Sequence, residues 1–185
     1  MLNKSFSLGP RSFMVFNFIS FQSSWLVAVN MQQQGLIILS IILASHFLVS
    51  PHRSRDWLTL LCITLAGCLV DFSFSYVNVF SFKDGLLLPL WLIFLWANFA
   101  LTFHYSMAWL NRLPVPVQAV LGGVFGALSY YSAYKLGAVD YPFGEMLTII
   151  CLILIWSLTL PVYIFISLKI KDKYDEKNKV HPSFA

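Results

Sequence analysis

Hydrophobic residues occur in six long runs along the chain, and short segments with prolines, glycines and charged residues separate these runs. A helix that crosses a bilayer needs about 20 mostly apolar residues. The pattern predicts six membrane-spanning helices: Arg11 to Asn30, Gly35 to Ser50, Asp56 to Phe80, Leu86 to Leu110, Val117 to Leu136 and Met146 to Ile170. Because the connections are only 4 to 9 residues long, neighbouring helices should run antiparallel. The expected fold is all-α, a polytopic transmembrane helical bundle.

The composition agrees with a membrane environment. Of the 185 residues, 58% are hydrophobic and only 11% are charged, whereas about 25% of the residues in a soluble domain are charged. This excludes a soluble enzyme and a disulfide scaffold. The net charge of +4 does not indicate a nucleic-acid partner, because the basic residues lie between apolar runs and in the tail and form no stripe. The three cysteines (Cys62, Cys68 and Cys151) lie in apolar runs and are interpreted as packing residues.

The distribution of lysine and arginine predicts the orientation, because cytoplasmic loops of membrane proteins carry an excess of both. With the N-terminus inside, the cytoplasmic set is Lys4, Arg11, Arg53, Arg55, Arg112, Lys169, Lys171, Lys173, Lys177 and Lys179. Only Lys83 and Lys135 lie on the other side. We therefore expect a cytoplasmic segment over residues 1–12, six spans within 13–170, and a basic cytoplasmic tail over 171–185. The polar composition of this tail predicts a disordered or peripheral segment.

Asp71 is the acidic residue inside the third span. A carboxylate at the bilayer centre costs about 3 kcal/mol on insertion scales, so such residues face the protein interior and usually have a function. Asp71 shares a helical stripe with small and polar residues, namely Thr64, Gly67, Cys68, Ser75 and Asn78. Two interpretations remain open: a hydrogen-bonded clamp between helices, or a residue that binds ligand or transfers protons. Asp71 and His104 are the weak candidates for an acid–base pair.

Further polar residues inside the spans extend the set of candidate ligand-binding residues, which comprises Asn17, Gln22, His46, Asp71, Asn98 and Ser129. With a rise of 1.5 Å per residue, four of them lie within about 5 Å of the bilayer centre. These four are Gln22, Asp71, Asn98 and Ser129. Asn17, His46 and His104 lie about 5 to 9 Å toward the cytoplasm. A zinc site needs three or four ligands at one depth, which this arrangement does not offer, so we predict no metal and no cofactor.

A stripe of small residues follows one face of the fifth span and comprises Gly122, Gly126, Ser129 and Ala133. Small residues at this spacing let the backbones of two helices approach closely. The stripe predicts helix packing within the chain, and it is also a possible contact between copies in a homo-oligomer.

Several short motifs together resemble one family of unknown function. They are Asn17 with Phe21-Gln22 and Trp25, the Asp71 span, Pro89-Leu90-Trp91, Leu95-Trp96 with Phe99-Ala100, Ser106, Trp109-Leu110, Gly122-Gly123, Gly126 with Leu128-Ser129-Tyr130, and Leu136-Gly137-Ala138. From about Phe16 to Ile166 the chain resembles the DUF2878 family of small bacterial inner-membrane proteins. The resemblance implies an inner-membrane location but no catalytic residues, since the family has no established activity. Its members are often encoded beside enzymes that modify membrane fatty acids, which implies a role related to lipid.

Three hypotheses for the function follow. In the first, the protein binds a membrane lipid or another apolar molecule, or supports a membrane enzyme as its partner. In the second, it is an intramembrane enzyme that acts on lipid, with Asp71 or His104 as acid or base. In the third, it is a small proton-coupled transporter. Transporters commonly contain internal repeats, and residues 1–85 show no convincing similarity to residues 86–185, which disfavours the third hypothesis.

Overall fold

The computed structural model describes residues 9–180, so Lys4 and the last five residues lie outside the described part of the chain. Residues 9–180 contain six α-helices: α1 (Pro10–Met31), α2 (Leu36–Val49), α3 (Arg53–Tyr76), α4 (Leu90–Ala100), α5 (Val115–Lys135) and α6 (Glu145–Val180). Two short 3-10 helices cover Gln32–Gly35 and Ala108–Arg112. The strands β1 (Ser81–Phe82) and β2 (Val139–Asp140) form a small antiparallel pair that joins the α3–α4 loop to the α5–α6 loop. The all-helical prediction is confirmed.

In the described part of the chain, three helical stretches are long and apolar enough to cross a membrane: Pro10–Val49, Arg53–Tyr76 and Glu145–Lys177. Large apolar side chains on these helices point outward; Ile37 is 75% exposed and Leu65 is 69% exposed. Contiguous apolar surface of this kind is typical of a protein that contacts lipid. The fold is therefore compatible with a membrane protein.

The stretch Pro10–Val49 folds back on itself. Gln32 adopts a positive φ of 48° at the end of α1, and the chain turns through the 3-10 helix into α2. As a result the ring of Phe13, near the start of α1, lies 5.3 Å from the ring of His46, near the end of α2. The stretch is thus an antiparallel helix pair, as the sequence predicted. With 14 residues, α2 is only about 21 Å long.

The helix ends gather at two ends of the bundle. At the first end, the ring of His52, just before α3, lies 5.9 Å from the ring of Tyr174, near the end of α6. At the opposite end, Lys135 at the end of α5 forms an ion pair of 3.0 Å with Glu145 at the start of α6. The start of α1, the α2–α3 turn and the end of α6 therefore lie at the same end.

The fourth predicted span, Leu86 to Leu110, is wrong as a single helix. α4 has only 11 residues, and residues 101–107 form a chain of turns. Asn17 of α1 satisfies the freed backbone: its amide Nδ2 donates to the carbonyl of Leu101 at 3.1 Å, and the backbone N–H of Ser106 donates to its Oδ1 at 3.2 Å. Irregular backbone at membrane depth is tolerated only where the protein supplies such hydrogen-bond partners. The hydropathy of residues 86–110 cannot show that a partner on another helix is present, which is why the predicted span was too long.

The small stripe of α5 packs inside the chain. A Cβ atom at Gly122 or Gly126 would overlap with Trp156 of α6, with the backbone carbonyl in the first case and the indole in the second. The glycines therefore let α5 and α6 approach closely, and the prediction that the stripe packs against another helix of the chain is confirmed. A homo-oligomer stays a prediction.

The last helix extends further than the sequence predicted. α6 continues through Pro161 and past residue 170 to Val180. Residues 171–180 are therefore helical, and the expectation of a disordered tail does not hold for them. The reason is that residues 171–180 contain neither glycine nor proline, so nothing in them stops a helix that α6 has already nucleated.

Candidate functional site

A cavity of about 410 Å³ lies between α1 and α5, with α4 and α6 at its back. Its lining is dominated by aromatic side chains, namely Phe21, Trp25, Phe82, Trp91, Trp96, Phe99, Phe125, Tyr130 and Trp156. The lining residues Phe125 and Leu128 are 62% and 52% exposed, so the cavity reaches the outer surface of the bundle. Its size is in the usual range for small-molecule sites, which is about 300–1,000 Å³.

Among the described residues, one side-chain hydrogen bond links the two helices on either side of this cavity. The indole Nε1 of Trp25 on α1 donates to the hydroxyl of Ser129 on α5 at 2.8 Å. The amide side chain of Gln22, about one turn earlier on α1, also lines the cavity. Gln22, Ser129 and Ser132 are therefore the polar side chains in an otherwise apolar and aromatic wall.

Asp71 lies directly behind this wall. Its Oδ2 accepts a hydrogen bond of 2.6 Å from the indole N–H of Trp96, and its Oδ1 accepts one of 2.6 Å from the hydroxyl of Tyr130. Trp96 and Tyr130 line the cavity, whereas the Asp71 side chain is buried beneath them. Gly67, one turn before Asp71 on α3, makes the arrangement possible, because a Cβ atom there would overlap with the Trp96 indole.

The aromatic side chains form an ordered stack at the back of the cavity. The rings of Trp96 and Trp156 are nearly parallel, with an angle of 5° between their planes and centroids 5.6 Å apart. Phe99 meets both rings edge-on, at 5.5 Å and 5.9 Å. The centroid of Tyr130 lies 6.2 Å from that of Trp156. Such contacts stabilise the rings in one geometry, so the wall is preorganised.

A second polar group lies at the end of the bundle that holds the α2–α3 turn. The Oδ2 of Asp56 accepts hydrogen bonds from His46 Nε2 at 3.0 Å, from the Ser50 hydroxyl at 2.5 Å and from the Tyr105 hydroxyl at 2.7 Å. Its Oδ1 accepts from the guanidinium of Arg55 at 3.2 Å. Asp56 and Arg55 are both buried, at 1% and 7% exposure. We call these five residues the Asp56 network. It is an ion pair whose carboxylate is fully hydrogen-bonded.

His104 lies next to the Asp56 network through Thr59. The Thr59 hydroxyl donates to the backbone carbonyl of Arg55 at 2.9 Å, and His104 Nε2 lies 2.7 Å from the same hydroxyl oxygen. The Thr59 hydroxyl therefore lies within hydrogen-bond distance of both groups, and it holds His104 next to the Asp56 network.

The structure distributes the predicted site residues over both regions. Gln22 and Ser129 line the cavity, and Asp71 supports its wall. His46 belongs to the Asp56 network, and Asn17 binds the turns after α4. Asn98 donates only to the carbonyl of Phe94 in its own helix, at 2.9 Å.

Asp71 and His104 are not brought together. Thr59, the partner of His104, precedes Asp71 by 12 residues on α3, which corresponds to about 18 Å along the helix axis. Within residues 9–180, no group of three or more His, Cys, Asp or Glu side chains is arranged to hold a metal ion.

Comparison with known families gives the context of these sites. A family model described as a protein of unknown function, DUF2878, matches residues 14–162. The chain belongs to the DUF2878 family. The match covers α1 to α5 and the first half of α6, so the cavity and the Asp56 network of this DUF2878 protein both lie in the family region. No curated protein and no solved structure matches the chain.

Sequence reasoning missed the residues that surround the two carboxylates. In this DUF2878 protein, Arg55 and Asp56 were interpreted as the boundary of a span, whereas they form a buried ion pair. Trp96 and Tyr130 appeared only as motif residues, although both bind Asp71. A general rule points to them: a buried carboxylate needs donors, and Trp and Tyr place an N–H or O–H in an apolar region.

Proposed function

We propose that this protein is a multi-pass inner-membrane protein that binds the apolar chain of a lipid or lipid-like molecule in the cavity between α1 and α5. The observation that carries the proposal is an aromatic cavity of about 410 Å³ that reaches the apolar outer surface of the bundle at Phe125 and Leu128. A chain can enter such a site sideways from the bilayer without crossing water.

The hydrogen bonding of the polar residues favours binding over acid–base catalysis. Both oxygens of Asp71 are engaged by Trp96 and Tyr130, and His104 is engaged by Thr59. A catalytic pair must reach the same reacting atom, whereas these two side chains belong to separate regions. A role as an intramembrane enzyme or a proton-coupled transporter therefore has less support than binding.

The proposed topology has six helical passes with both termini in the cytoplasm. The antiparallel order of the helices and the excess of lysine and arginine at the end that holds the α2–α3 turn support it. The short helices α2 and α4 would be accommodated by local thinning of the bilayer or by neighbouring helices, which is the usual response to a span that is too short.

Photo-crosslinking tests the proposed binding site. The purified protein in dodecyl maltoside micelles is irradiated with hexadecanol that carries a diazirine on its chain, and the labelled residues are identified by mass spectrometry. We expect labelling of buried lining residues such as Ala133 and Trp91, and competition by unlabelled hexadecanol. Labelling confined to the outer surface, with no competition, would refute the proposal.

A matched pair of variants provides the control. Leu121→Trp adds a large side chain to a residue that lines the cavity, whereas Val124→Trp adds the same side chain to an outward-facing residue of the same helix. We expect the first variant to lose most of the competed labelling and the second to keep it. Equal labelling in both variants would mean that the chain does not occupy the cavity.

A further inference from the structure

We infer that the molecule in the cavity carries a positive charge, as an amine or quaternary ammonium group attached to the apolar chain. This inference rests on the proposed function, because it names the chemical class of ligand for the same cavity. It follows from three features of the wall: a buried carboxylate without a cationic partner among the described residues, aromatic side chains that line the cavity, and hydrogen bonds that connect the two.

The first feature is the charge of Asp71. The ion pairs among the described residues involve the carboxylates of Asp56 and Glu145, and none involves Asp71. An indole N–H can only donate, so the Trp96 bond requires an acceptor oxygen. The 2.6 Å separation between the Tyr130 hydroxyl and Asp71 is in the short range typical of a hydroxyl that donates to a charged carboxylate. Asp71 is thus a buried carboxylate whose two oxygens both accept hydrogen bonds, and no cationic side chain pairs with it among the described residues.

The second feature is the aromatic wall itself. The face of an indole or phenol ring carries partial negative charge, and several such faces around one cavity attract a cation. Trp96, Trp156, Tyr130 and Phe99 all line the cavity. A quaternary ammonium group is a suitable occupant, because its methyl groups pack on the rings while its charge interacts with the ring faces.

The hydrogen bonds of Asp71 join these features. When Trp96 and Tyr130 donate to a carboxylate, electron density shifts toward their rings, which strengthens the attraction for a cation on the cavity side. The opposing charge of Asp71 lies directly behind, in a region of low dielectric where charges act over longer distances. A molecule with a neutral head group is attracted neither by the ring faces nor by the charge of Asp71, and an anionic head group is repelled by both.

A competition experiment with three head groups on one chain length tests this inference. Hexadecyltrimethylammonium, hexadecanol and hexadecyl sulfate compete with the photoreactive hexadecanol in dodecyl maltoside micelles, at known mole fractions. We expect the trimethylammonium compound to compete about tenfold better than hexadecanol, a ratio that corresponds to about 1.4 kcal/mol. Hexadecyl sulfate should compete less well than hexadecanol.

The variant Asp71→Asn removes the charge and keeps a side chain of the same shape. We expect the ratio between the trimethylammonium compound and hexadecanol, measured on the same variant, to fall from about tenfold to about one. Asp172→Asn, the same exchange at an exposed position near the end of α6, should keep the preference. If Asp71→Asn does not fold, the comparison of head groups on the unmodified protein decides the question by itself.

The outcomes separate the two proposals. If hexadecanol competes and the trimethylammonium compound is no better, the charge inference is overturned and the binding site stands. A preference that survives in Asp71→Asn also overturns it. If neither compound competes and no buried lining residue is labelled, the proposed function fails, and the inference fails with it.

Discussion

Removal of the Asp56 carboxylate by Asp56→Ala should strongly destabilise the first end of the bundle. Arg55 is only 7% exposed, so the variant leaves a buried charge without its partner. His46, Ser50 and Tyr105 would lose their acceptor as well. Breaking a buried ion pair by removal of one partner costs about 3–5 kcal/mol, and we expect a loss of unfolding free energy in that range.

The measurement is unfolding by sodium dodecyl sulfate in mixed micelles, followed by circular dichroism. The double variant Arg55→Met with Asp56→Leu removes both charges and should recover the part of the loss that the unpaired Arg55 charge causes, because replacing a buried pair with apolar residues is often neutral. His46, Ser50 and Tyr105 stay without their acceptor in this variant. Glu145→Gln provides the control, since its ion pair with Lys135 is exposed and should contribute little. A loss of unfolding free energy below about 1 kcal/mol for Asp56→Ala would refute the buried-charge reasoning, because breaking a buried ion pair should cost about 3–5 kcal/mol.

Two further substitutions test the contacts that shape the fold. Asn17→Ala should lower the free energy of unfolding by about 1–3 kcal/mol, because buried backbone groups in the turns after α4 lose their partner. Asn98→Ala is the control; it removes only a hydrogen bond within its own helix and should cost less. An equal loss for both would contradict this role. Gly67→Ala should displace the Trp96 indole, lower stability by about 1–3 kcal/mol and shift tryptophan fluorescence, whereas Gly9→Ala, which meets no neighbouring atom, should behave like the wild type.

The sequence predicted Asp71 as an interior residue, because a lone carboxylate on a stripe of small residues has no place in lipid. It also separated Asp71 in depth from His104, and the structure keeps them apart. It could not identify Trp96 and Tyr130 as the partners, since they lie 25 and 59 residues away along the chain on other helices. Only the packing of α3, α4 and α5 brings these donors to one carboxylate.

The sequence by itself determined the all-helical class and the apolar surface, because hydrophobic runs and helix breakers act locally along the chain. It did not determine where α4 ends. Large apolar residues continue beyond Ala100, at Leu101 and Phe103, and the helix stops there in a structure where Asn17 of another helix binds the freed backbone. The tertiary structure also decided the cavity and the Arg55–Asp56 pair. Both depend on the distances between helices. The hydrophobic effect is non-directional, so the apolar runs in the sequence do not specify these distances.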